Sequence, residues 1–260
     1  MNVLKMFDLT GKVAIVTGGS RGFGKEIAIG FGEAGAKVAI VARSEEWLNP
    51  TYEEIKGMGI DCLAFKNDVR NLEEVKQFTA ETINKWGKLD ILVNNAGVSW
   101  GGVPATEFPQ SHWDRVMATN VTAMLLCSQE VAKQMIRQKS GGIINMSSAM
   151  GVVGISPEIM RSLVYHTSKA AVIGLTKQLA VEWAPHNIRV NAMAPFFFPT
   201  RLTKPILDVE SAKAKMLETI PMKRLGKEGE IKGVALFLAS DASSYITGQI
   251  LGVDGGLTAW

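Results

Sequence analysis

Short runs of branched apolar residues alternate along this chain with longer segments in which apolar positions recur every three or four residues. The short runs lie at 13–17, 38–42, 62–67, 89–94, 142–147, 188–194 and 249–253, and several are apolar almost throughout. A strand apolar on both faces needs cover on both faces, so these runs predict parallel strands buried between helix layers. Helices are predicted at 24–34 and 73–86, closed by Gly35 and Gly87, and at 111–138 and 164–183.

A succession of right-handed βαβ units behind a glycine-rich first turn predicts an α/β fold of Rossmann type. It is a doubly wound parallel sheet of about seven strands, with helices on both faces and a ligand crevice at the carboxyl ends. No repeat or composition shift marks a boundary, so residues 1–260 are read as one domain. Segments 149–164 and 195–208 predict no regular element and are candidate substrate loops.

The 28 basic and 25 acidic residues are spread along the whole chain, which argues against a nucleic-acid partner. The basic group Met222-Lys223-Arg224 and Lys227 reads as a solvated loop. Cys62 and Cys127 have neither metal-site nor disulfide spacing and are expected to be buried, reduced thiols; no metal is expected. There is no signal-peptide core and no membrane-length apolar run, so the expected setting is the cytoplasm, away from membranes.

The candidate chemistry begins where the first strand meets the first helix. In Thr17-Gly18-Gly19-Ser20-Arg21-Gly22-Phe23-Gly24, missing Cβ atoms and backbone N–H groups would let a pyrophosphate approach; a purely structural glycine loop is the competing reading. The second strand ends in Ala42-Arg43, where an NAD-binding protein carries an acid. Arg21 and Arg43 can therefore grip the 2′-phosphate of NADP, unless both are plain surface arginines. Asp68 and Val69 follow the third strand, near the expected adenine, with a helix-start role as the alternative for Asp68.

From Thr17 to Gly24 onward the chain resembles the short-chain dehydrogenase/reductase family over nearly its full length. Asn94-Asn95-Ala96-Gly97, Asn120, Ser147-Ser148 and Tyr165-His166-Thr167-Ser168-Lys169 carry the resemblance. It implies a catalytic tetrad of Asn120, Ser148, Tyr165 and Lys169, with Ser147 as the rival to Ser148 and a plain helix role as the rival for Asn120. Tyr165 and Lys169 are i and i+4 on one helix, and an ammonium beside a phenol favours the phenolate. The resemblance also places Asn95, Ala96, Gly97, Pro195, Ile188 and Thr200 around the cofactor, with Lys169 on its ribose and Thr200 on its carboxamide. NADP(H) is the preferred cofactor and NAD(H) is admitted.

Two departures bear on substrate. Pro195-Phe196 replaces the family's usual Pro-Gly, and the stretch from Ser148 to Tyr165 is longer than usual, with an insertion within 156–164. These features weaken a substrate transfer from the commonest relatives, the 3-oxoacyl thioester reductases, and look more like gluconate 5-dehydrogenase members. The expected substrate is thus a keto-acid or sugar acid, or a 3-oxoacyl thioester. Trp100, Met150, Phe196 and Phe198 are candidate apolar walls, and Arg161, His166, Arg201 and Lys204 candidate anion contacts. The alternatives are core positions for the aromatics and solvent for Arg161. A homotetramer is expected by resemblance, and a catalytically silent NADP(H)-binding regulator or scaffold is the competing function.

Overall fold

Alternation along each strand decides which helix layer it supports. The computed structural model describes residues 2–200 and 203–259. Its strands are β1 (Val13–Thr17), β2 (Lys37–Ala42), β3 (Cys62–Lys66), β4 (Ile91–Asn94), β5 (Gly141–Met146), β6 (Ile188–Pro195) and β7 (Ile250–Val253). All pair in parallel, in the order β3-β2-β1-β4-β5-β6-β7. On one face Ala14, Val16, Ile40, Val93 and Met146 meet Ile27 and Phe31 of α1 (Gly22–Glu33) and Ile231 and Leu238 of α9 (Glu230–Ala239). On the other, Val13, Ile15, Val41, Leu92 and Val190 meet Phe78 of α3 (Leu72–Trp86), Val131 and Met135 of α5 (Ala123–Gln138) and Leu179 of α6 (Leu163–Trp183). The chain is therefore a doubly wound Rossmann-type sheet, as its apolar runs predict.

The sheet grows outward from β1 in both directions, with β4 beside β1 on the side away from β2. Loops leaving the carboxyl ends of β1 and β4 diverge there and open a crevice. Local signals set the helix ends: Asn71 caps α3 by accepting from Glu73 N–H at 3.0 Å, and Gly87 closes it at φ 78°.

The expected helix over 111–138 is three pieces: α4 (Gln110–Met117), a π-helical turn at Ala118–Thr122, and α5. The helices α2 (Glu45–Gly57), α7 (Lys204–Leu207) and α8 (Glu210–Thr219) were not anticipated. A third apolar cluster, built on Met150, Phe196, Phe197, Met216, Ile220 and Leu257, sits beyond the carboxyl end of β6. Cys62 and Cys127 are buried free thiols, and burial pushes both up to about 12, which leaves them protonated and unreactive.

Candidate active site

The first turn is built by close backbone approach. A Cβ on Gly24 would lie 2.2 Å from the Gly18 carbonyl oxygen, so any side chain there would push α1 off the loop. Gly18 has φ 64°, and its Cβ would meet Asn95 Nδ2 at 2.8 Å. Asn95 Nδ2 donates to the carbonyls of Thr17 (3.0 Å) and Gly18 (3.1 Å), while Thr17 Oγ1 accepts from the N–H groups of Asn95 (3.0 Å) and Ala96 (3.2 Å). The turn is thereby fastened to the exit of β4. The α1 N-terminus, with no acid in its first turn, opens on a crevice of about 1880 Å³. Gly18, Ser20, Arg21, Gly22 and Phe23 line it, whereas Gly24 lies behind as packing. The sequence places Thr17 in the turn but does not show that its hydroxyl fastens the turn to β4.

Arg43, half exposed, and Arg21 line the crevice beyond β2, together with Asp68 and Val69. Arg70 grips Asp68 through Nε (3.0 Å) and Nη2 (2.5 Å), while Arg43 Nη1 stands 3.9 Å away. The Arg70 hydrogen bonds hold the Asp68 carboxyl below its usual range. Asn71, not Asp68, caps α3.

At the opposite end Tyr165 and Lys169 rise from α6, and Ala96, Gly97 and Pro195 lie nearby in the crevice wall. Ser148 pulls the Tyr165 phenol down, and its hydroxyl donates to the Pro195 carbonyl and accepts from Met150 N–H, each at 3.2 Å. Ser147 instead donates to the Lys169 carbonyl at 2.9 Å, which commits its hydroxyl to the backbone. Gly151 lets this segment approach α6, since a Cβ there would sit 2.6 Å from the Lys169 carbonyl carbon.

Lys169 is 4% exposed; its Nζ donates to the Met146 carbonyl at 2.6 Å and lies 5.5 Å from the Tyr165 ring centre. Burial pulls the ammonium down to about 8 and pushes the phenol up to about 12, against the smaller downward effect of Ser148. Burial is the largest influence on both groups.

Asn120 does not line the crevice. Fully buried in the π-helical turn, it accepts from Val98 N–H (2.8 Å) and donates to the Val98 carbonyl (2.9 Å) and Ser168 Oγ (3.0 Å). These bonds use both its N–H groups, so the side chain fixes the loop after β4 against α6. A π turn also leaves its neighbouring carbonyls outside the regular α ladder, a feature invisible in residue spacing.

Trp100, Arg161 and Phe198 line the crevice mouth; Met150 and Phe196 do not. Both belong to the third apolar cluster, where the Phe196 ring meets Phe197 edge-on, with centres 4.7 Å apart. Trp100 stacks on His112 with ring centres 4.0 Å apart. The insertion turns at Ser156, puts Pro157, Ile159 and Met160 on the crevice, and ties to α8 through Glu158–Lys215 at 2.8 Å. Gly102 N–H donates to the Arg161 carbonyl at 2.8 Å, joining the two loops of the mouth. Thr200 lines the crevice and bonds Thr203 Oγ1. Ile188 begins β6 at the amino end, buried in the core, so it cannot belong to a nicotinamide site. His166 turns back to Ser162, and Arg201 lies outside the described residues.

A family profile described as enoyl-(acyl carrier protein) reductase matches residues 18–258. The chain is 41% identical to the 3-oxoacyl-(acyl-carrier-protein) reductase FabG of Staphylococcus aureus, across 95% of this chain and 98% of that protein. The chain belongs to the short-chain dehydrogenase/reductase family. Among solved structures, a short-chain type dehydrogenase/reductase from Mycobacterium marinum is 39% identical, with TM-score 0.94 and full coverage of both chains. A gluconate 5-dehydrogenase from Burkholderia cenocepacia, solved with NADP and tartrate, is 33% identical with TM-score 0.93, again over both full chains. As a short-chain dehydrogenase/reductase the chain is an oxidoreductase of CH–OH and carbonyl groups. No described helix is long and apolar enough to cross a membrane.

Proposed function

We propose that the chain is a single-domain, cytoplasmic, homotetrameric NADP(H)-dependent reductase that interconverts a ketone and a secondary alcohol, with Tyr165 as proton donor and acceptor. The observation that carries this reading is one continuous crevice with Gly18, Gly22 and two arginines at one end and Tyr165 and Lys169 at the other. The cradle at Gly18 and Gly24, which a Cβ would fill, fits a pyrophosphate. The absence of an acid at Ala42 and the presence of Arg21 and Arg43 fit a 2′-phosphate, as does the NADP named with the Burkholderia relative.

NADP(H) supplies or accepts the hydride. Gly18, Ser20, Arg21, Gly22, Phe23 and Arg43 hold its adenosine phosphate half, Asp68, Val69, Asn95, Ala96 and Gly97 flank it, and Pro195, Thr200 and Lys169 orient its other end. Ser148 donates to the substrate oxygen as negative charge grows there, and Tyr165 delivers the proton. Lys169 would restore that proton through a chain of water from solvent, which the π-helical turn around Asn120 helps to anchor.

Trp100, Ile159 and Met160 make the substrate end apolar, which supports a 3-oxoacyl thioester. Arg161 favours a second reading, a 5-keto sugar acid. The test follows nicotinamide absorbance with each substrate, NADPH and NADH in parallel. Tyr165→Phe is expected to lower kcat at least about 100-fold while NADPH still binds. Undiminished turnover in that variant would overturn the tyrosine role, and cofactor binding without turnover of any ketone would favour a silent scaffold.

A further inference from the structure

Resting on the NADP(H) reading, the inference concerns what keeps Arg21 available to a phosphate. Arg21 is the N-cap residue of α1, in extended backbone, with no side-chain capping bond. Its guanidinium carbon lies 5.5 Å from the ring centre of Trp47, on the first turn of α2. Both side chains line the crevice, and Trp47 is 40% exposed.

We infer that Trp47 is a positioning residue that sets the preference for the 2′-phosphorylated cofactor by holding the Arg21 guanidinium over its indole at the mouth of the phosphate site.

Three observations lead there. An arginine on a crevice rim has many rotamers, and fixing it before binding removes part of the cost of ordering it. A ring attracts the cation through its quadrupole without taking any N–H donor, so the guanidinium edge stays available to phosphate oxygens, whereas a carboxylate partner would compete for it. Two acids that line the same crevice are engaged elsewhere, Glu54 by Lys25 and Asp68 by Arg70. The indole thus orients Arg21 without neutralising it. Trp47 itself need not touch the phosphate.

The test is a double-mutant cycle on the full chain, with Kd for NADPH and NADH measured by fluorescence titration. Trp47→Leu is expected to weaken NADPH about three- to fivefold, the range of an exposed cation–π contact, and to leave NADH unchanged. Trp47→Phe, which keeps a ring, should fall between, and Trp47→Leu should have no further effect once Arg21 is alanine. Equal loss of both cofactors, or additive losses in the cycle, would overturn the positioning role, as would no loss. If the unaltered protein binds NADH as well as NADPH, the cofactor reading itself fails instead. The intermediate behaviour of Trp47→Phe keeps the test decisive should the leucine variant fold poorly.

Discussion

Lys169 and Tyr165 show how one environment moves two groups in opposite directions. Burial disfavours both charged forms, so the ammonium falls to about 8 and the phenol rises to about 12. In the free protein Tyr165 therefore stays protonated across the working range, and Lys169 is the group that titrates. Reduction needs both protons, so kcat/KM for reduction should fall as pH rises through about 8, as Lys169 loses its charge; a profile flat to pH 10 would contradict this. Arg70 offers a second residue-scale prediction. With its guanidinium removed, Asp68 is left to pair with Arg43, 3.9 Å away, and to repel the incoming phosphate. Arg70→Ala should weaken NADPH about fivefold, near 1 kcal/mol, with little effect on NADH. Equal titration curves for wild type and variant would refute it.

At the scale of elements, the π-helical turn and the crevice mouth are products of contact between segments. Asn120 is pulled out of a regular helix by Val98 and Ser168, residues 22 and 48 positions away. The mouth depends on Gly101, whose Cβ would stand 2.0 Å from the Arg161 carbonyl oxygen. Gly101→Ala must part the loops, because backbone rather than a flexible side chain blocks it. KM for the carbonyl substrate should rise about tenfold, near 1.4 kcal/mol, while NADPH affinity is kept. A KM unchanged in steady-state assays would show that the mouth does not meet substrate. The insertion within 156–164 was legible as extra length, but its tie to α8 was not, because α8 itself carries little apolar periodicity.

Across the whole molecule, two apolar layers clasp one sheet, and the site floats on them. Phe78, wholly buried between α3 and the sheet, should cost about 3–5 kcal/mol when cut to alanine, read from denaturant unfolding. On the outer surface Val181 of α6 is 73% exposed and Tyr245 is fully exposed. Apolar surface there fits the proposed tetramer. Light scattering should return the mass of four chains, and Val181→Glu should lower it; a monomeric wild type would refute the assembly.

The seven strands, the glycine turn, the missing acid after β2 and the Tyr165–Lys169 pair were determined by the sequence itself. Each is a local matter: a doubly buried strand must be apolar throughout, a close backbone approach must be glycine, and i, i+4 residues share a helix face. Tertiary structure decided what distance in sequence conceals. It took Phe196 and Met150 into a packed cluster, set Ile188 at the wrong end of its strand for a cofactor, committed the Ser147 hydroxyl to the Lys169 carbonyl, and brought Trp47 beneath Arg21. A residue's type states which bonds it can form. Only the packing of distant segments settles which partner is within reach, and how much water remains to oppose a buried charge.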